Sequence, residues 1–198
     1  MASLLLRDSI NERGAQIVKV VCLGDSGVGK SSLALRFVTN EFKPYSEATI
    51  GASFMSKTIS IPEEVDGNEN TETPISTSTK THKKIAFKIW DTAGQEKYAC
   101  LAPMYYRGAG AAVLVYDICK ASSFQALKRW VEELRSNGPP NIVLIICGNK
   151  SDLAKQYRQV DENSARAYAD SIGAAFFEAR LVYFNILIVS VDVVISKG

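Results

Sequence analysis

The octet Gly24-Asp25-Ser26-Gly27-Val28-Gly29-Lys30-Ser31 constrains this chain more than any other stretch, because of what flanks it. Before it, residues 17–23 form a short apolar run suited to a strand buried on both faces. After it, a helix is predicted from about Ser31, with Leu33 and Phe37 four apart on one side. The same rhythm returns downstream. Residues 54–61 and 85–90 alternate with a period of two, and residues 111–117 and 142–147 are continuous apolar runs. Between those last two, Phe124, Leu127, Val131 and Leu134 make one helical stripe. Ser122 with Gln125 reads as its capping-box start, and Gly138-Pro139-Pro140 as its stop. Residues 161–172 spell a second amphipathic helix closed by Gly173, and residues 174–177 a last short strand. Strands alternating with helices predict an α/β fold with a mostly parallel six-stranded sheet and helices on both faces. The 198 residues are room for one such domain, 1–198.

The octet also has a chemical reading. It matches G-x-x-x-x-G-K-[ST], in which glycines let successive backbone N–H groups turn toward one point and the following helix adds its positive end. Ser26, Gly27, Val28, Gly29, Lys30, Ser31 and Ser32 are therefore candidate nucleotide-binding residues. Lys30 supplies charge for the β- and γ-phosphates and Ser31 a hydroxyl for Mg²⁺. Asn149-Lys150-Ser151-Asp152 follows directly on a buried strand. There a buried Asp152 accepts from the N1–H and 2-amino groups of guanine, both of which adenine lacks, so the motif argues for guanine and against an adenine-nucleotide phosphotransferase. Asp91, in Trp90-Asp91-Thr92-Ala93-Gly94-Gln95-Glu96, suits a Mg²⁺ shell. The Gly94 N–H suits a γ-phosphate, and Gln95 is the catalytic candidate that orients the attacking water. Thr49 offers a second hydroxyl for the metal and an N–H for the γ-phosphate.

These four elements, in this order over roughly residues 18–178, resemble the P-loop G domain of the Ras superfamily. A finer resemblance, to the Rab family, is carried by Thr49-Ile50-Gly51-Ala52-Ser53-Phe54, Trp90-Asp91-Thr92-Ala93-Gly94-Gln95-Glu96-Lys97-Tyr98 and Leu101-Ala102-Pro103-Met104-Tyr105-Tyr106-Arg107-Gly108. Ala52-Ser53 after the glycine and Gly138-Pro139-Pro140-Asn141 are similar to its early-endosomal branch in particular. The resemblance implies a GTP/GDP switch in vesicle traffic with Mg²⁺ as cofactor. Its partners would be an exchange factor, an activating protein and effectors that read Phe54, Trp90 and Tyr105. It also implies a monomer. As strand residues, Phe54 and Trp90 are equally suited to packing in the core.

Bulk properties narrow the partners. With 46% apolar residues, 22% charged and a net charge of +2, neither nucleic acid nor an anionic membrane is expected as the main partner. Cys22, Cys100, Cys119 and Cys147 are widely spaced with no C-x-x-C, which fits a reducing compartment. No secretory signal is read at residues 4–8, and Ala2 lacks the glycine of myristoylation, so the cytosol is expected.

Two segments break the pattern. Residues 62–83 are polar and Thr/Ser/Glu-rich, and are expected to be a flexible loop between the second and third strands. After Glu178 the Rab pattern continues with Thr-Ser-Ala-Lys over the guanine, an amphipathic helix and prenylated cysteines. Here residues 179–198 form an apolar, β-branched tail without cysteine. A weaker guanine pocket and no stable lipid anchor are the expectations.

Overall fold

In the computed structural model the described residues are 14–41, 47–62, 82–94 and 101–180. The six strands are β1 (Gln16–Leu23), β2 (Ala52–Pro62), β3 (His82–Thr92), β4 (Ala111–Asp117), β5 (Val143–Asn149) and β6 (Ala175–Ala179). They form one sheet in the order β2-β3-β1-β4-β5-β6. Only β2 runs antiparallel to its neighbour; β3, β1, β4, β5 and β6 are parallel. That explains the continuous apolar runs, since a central parallel strand is covered on both faces. All seven residues of β4 are buried.

The helices are α1 (Lys30–Thr39), α2 (Ala102–Tyr106), α3 (Ala121–Asn137), α4 (Ala154–Tyr157) and α5 (Glu162–Ser171). Helix α1 lays Leu33, Ala34 and Phe37 on Val18, Val20, Cys22, Phe87 and Ile89. Phe37 meets the Phe87 ring edge-on at 5.7 Å. On the opposite face α2, α3 and α5 enclose Val21, Leu23, Leu114, Tyr116 and Ile146. There the stripe Phe124, Leu127, Val131 and Leu134 is buried, as its spacing predicts. Burial of side chains this size is worth about 1.5–3 kcal/mol each, so these faces supply the main cohesion of the sheet.

Parallel register puts the carboxyl ends of four strands at one edge. Cys22 pairs with Asp91, Leu23 with Leu114, and Asp117 with Asn149. The loops that leave this edge carry the sequence motifs, as expected for an open α/β sheet.

Two local expectations are corrected. Helix α3 has no capping box at Ser122; Lys120 is its N-cap and makes no side-chain cap bond. The hydroxyl of Ser123 does the local work, accepting from the Asp117 N–H at 3.0 Å and donating to the Lys120 carbonyl at 2.6 Å. The polar segment 62–83 is shorter as a loop than expected, because Pro62 pairs with His82 and Ile61 with Lys83 in the β2–β3 ladder. Its remainder, 63–81, lies outside the described residues, as does the tail from 181. The five-residue helix α2, with Pro in its first turn, is too short to show a period and has no counterpart in the sequence reading.

Candidate nucleotide site

The glycine octet connects β1 to α1, and its geometry depends on close approach. Gly29 is the N-cap of α1 with φ 96°, a left-handed conformation that an L side chain adopts only with strain. A Cβ there would also collide with the Asn149 amide. So the phosphate-loop motif and the Asn-Lys-x-Asp motif touch at Gly29. They touch again at Val28, whose carbonyl accepts from Asn149 Nδ2 at 2.7 Å. Val28 itself is fully buried, whereas Ser26 and Gly27 are exposed and Ser32 lies in the first turn of α1.

Lys30 is 5% exposed, and its Nζ donates to the carbonyls of Gly24 at 3.0 Å and Asp25 at 2.8 Å. Burial lowers its pKa, with Asp91 opposing the shift. A Cβ on Gly94 would meet both Lys30 Nζ and the Asp25 backbone at 2.5 Å, so the end of β3 is pressed against the loop.

Ser31, Thr49 and Asp91 are brought together. Ser31 Oγ and Thr49 Oγ1 share a hydrogen bond of 2.7 Å, and Thr49 Oγ1 and Ser53 Oγ each stand 3.5 Å from Asp91 Oδ2. Asp91 is 1% exposed and its Oδ1 is buried without a partner among the described residues. Burial raises its carboxyl pKa and the Ser31 hydrogen bond resists. An unpaired, dehydrated carboxylate oxygen is costly unless a cation or donor takes it. Two hydroxyls and a carboxylate are hard oxygen donors, so the set fits Mg²⁺.

Asn149 is fully buried, and its Oδ1 likewise lacks a partner among the described residues. Lys150 has φ 69°, and its Nζ lies 2.6 Å from Asp117 Oδ2. Asp152 does not match the expectation of burial. It sits on the 3₁₀ turn Ser151–Leu153, outside the sheet's core, and is exposed at the edge of the site. Gln95, the catalytic candidate, lies outside the described residues.

Sequence reasoning missed Asp117, Ser53 and the ion pair of Lys120 Nζ with Asp25 Oδ2 at 2.8 Å. Burial works to raise the Asp25 pKa, but hydrogen bonds from Lys120 and the Ser26 N–H outweigh it, and the carboxyl falls below its usual range. Asp117 had a signal: it is a carboxylate at the carboxyl end of a buried strand. The other two depend on register and loop shape.

The Ras family model matches residues 19–181. The chain belongs to the Ras family. Among its relatives it is 52% identical over 161 residues to the Ras-related protein Rab-22A of Homo sapiens, spanning 81% of this chain and 73% of that protein. It is 52% identical to Rab-31 of Rattus norvegicus, with 81% and 72% covered, and 46% identical to Rab5A of Oryza sativa subsp. japonica, with 81% and 69% covered. Within the Ras family it is thus a Rab small GTPase of the early-endosomal branch, a GTP-hydrolysing protein of endosomal membrane traffic. Nucleotide, regulators and effectors are its partners in kind. The Rab aromatics are assembled as one cluster: Phe54 and Trp90 rings are 5.3 Å apart, Trp90 and Tyr105 5.8 Å. Phe54 is 51% exposed, while Trp90 and Tyr105 pack partly against the core. No helix among the described residues is long and apolar enough to cross a membrane.

Proposed function

We propose that this site binds GTP or GDP with Mg²⁺ through the residues named from the motifs, and hydrolyses GTP on the cytosolic face of endosomes as a monomer. Convergence of Ser31, Thr49 and Asp91, with Asp91 Oδ1 unpaired among the described residues beside the buried Lys30 ammonium, is the observation that carries this reading. The N–H groups of Gly27, Val28, Gly29, Lys30, Ser31 and Ser32, at the start of α1, cradle the phosphates. Lys30 stabilises the negative charge that shifts toward the leaving oxygen as the γ-phosphoryl departs. Mg²⁺, when bound, neutralises the phosphate oxygens, and Ser31, Thr49 and Asp91 would hold it. The Gly94 N–H meets the γ-phosphate, and Gln95 orients the attacking water. Asp152 accepts from guanine, and Asn149 and Lys150 form the walls beside it.

The test is the nucleotide that the purified chain retains, identified after heat release, together with release of a fluorescent GDP with and without EDTA. Co-purified guanine nucleotide and faster release after chelation are expected. Retained adenine nucleotide, or release indifferent to chelation and to Ser31→Ala, would remove the assignment.

A second reading, a guanine binder that cycles poorly, is favoured by one observation. Asn149 Oδ1 is buried without a partner among the described residues, and where the Rab pattern has Thr-Ser-Ala-Lys this sequence has Ala179-Arg180. Grafting a complete Rab end after Glu178 slows GDP release if that reading holds.

A further inference from the structure

Strands β1, β2 and β3 present an outer face that the nucleotide chemistry does not use. Along β2, Phe54, Ser56, Thr58 and Ser60 are exposed, while Met55, Ile59 and Ile61 between them turn toward the α1 side. Register then sets their neighbours. Phe54 lies opposite Trp90, Ser56 opposite Lys88 and Ser60 opposite Lys84, and on the far side of β3 Lys88 is paired with Lys19. The face therefore has an aromatic end and a basic, hydroxyl-lined end. Lys19 Nζ stands 5.5 Å from the Trp90 ring and Lys88 Nζ 5.7 Å from the Phe54 ring, so the two ends are in contact.

Its charge is one-signed. The only carboxylate on these three strands is Asp91, which faces the phosphate loop instead. Lys19 and Lys88 are directly paired on neighbouring strands about 4.8 Å apart, an arrangement of like charges that costs stability. A carboxylate laid across them would relieve that cost. The aromatic end adds open apolar surface: Phe54 is 51% exposed, and Met104, beside Tyr105 in α2, is 70% exposed.

We infer that this face docks a protein segment that sets acidic side chains beside an apolar ridge, the ridge on Phe54, Trp90 and Tyr105 and the carboxylates on Lys19, Lys88 and Lys84. The inference rests on the reading of the three aromatics as an effector surface and adds the chemistry of the partner. Three lysines are fewer than the four to eight that hold a segment to anionic lipid, at about 1 kcal/mol each, and an aromatic cluster and hydroxyls occupy the rest of the face. An acidic amphipathic helix matches both halves at once.

The full chain, with its bound nucleotide measured beforehand, serves as bait for a phage library of helical peptides. Peptides are kept if Phe54→Ala weakens their binding. Enriched peptides are expected to carry Asp or Glu within one turn of the apolar stripe. The double variant Lys84→Glu/Lys88→Glu should weaken them about tenfold or more, and Lys84→Arg/Lys88→Arg should bind like the parent. Peptides without acidic excess, peptides indifferent to the charge reversal, or no Phe54-dependent peptides at all would overturn the inference. So would lysine-dependent binding to phosphatidylserine vesicles without any acidic peptide. A chain that retains no guanine nucleotide contradicts the proposed function instead, and that result is read separately from the peptides.

Discussion

Lys150 Nζ and Asp117 Oδ2 lie 2.6 Å apart across the carboxyl ends of neighbouring strands β5 and β4. The pair fixes a lysine held in the left-handed backbone region, and does so directly beside Asn149. A half-buried ion pair of this kind ties the loop after β5, the proposed wall of the base pocket, to the sheet.

Asp117→Asn should therefore loosen the pocket without touching the phosphates. We expect GDP release to quicken about five- to tenfold, roughly 1 kcal/mol, with the far-ultraviolet spectrum unchanged. Stopped-flow release of fluorescent GDP checks this, and an unchanged rate would make the pair incidental.

Asp152→Asn should turn base preference from guanine toward xanthine, because an amide cannot accept from both guanine donors. The loss for GTP over XTP is expected to be at least about a hundredfold. Competition among GTP, XTP and ATP measures it; equal GTP and ATP affinity in the parent would remove Asp152 from base selection.

Gln95→Leu should slow hydrolysis about tenfold or more while leaving nucleotide affinity unchanged, because the role proposed for Gln95 is on the water and not on the base. Single-turnover hydrolysis with and without an activating protein separates the two, and an unaltered rate in both conditions would exclude the residue.

Asp161→Ala should destabilise the fold through α5. Asp161 is the N-cap of that helix, accepting from the Ser164 N–H at 2.8 Å, and this hydrogen bond depresses its pKa. A depressed carboxyl stabilises the fold above its unfolded pKa of about 3.9, and the contribution disappears as pH falls through the lower folded value. The urea midpoints of parent and variant should differ at neutral pH and converge in acid. A gap that persists after the carboxyl is protonated would point to packing instead.

The parts of the site that are contiguous in sequence were legible before any fold was known. The glycine octet, Asn149-Lys150-Ser151-Asp152 and Asp91 announce themselves because their chemistry needs fixed local spacing. What joins them is not local. Lys120 reaches Asp25, Lys150 reaches Asp117 and Asn149 reaches Val28, each from a different loop, and only the parallel register brings those loops together. The sheet was legible for the same reason in reverse: buried runs such as β4 and β5 need no partner to be recognised. His82 and Lys83 were not, because a two-stranded ribbon pairing beyond the core has no apolar period to show. The capping box read at Ser122 is absent, and the hydroxyl one residue on, Ser123, bridges the strand end at Asp117 to the Lys120 carbonyl, a contact that no local period announces.

The β2–β3 ribbon runs from Ala52 and Thr92, at the nucleotide edge, to Pro62 and His82, ten residues farther along. At about 3.3 Å per residue its tip is roughly 33 Å from that edge. Whatever joins Pro62 to His82 is therefore attached far from the residues that converge on Asp91. A fluorescent domain spliced between Pro62 and His82 would ride on the GTPase as a passenger, leaving the nucleotide cycle to run beneath it.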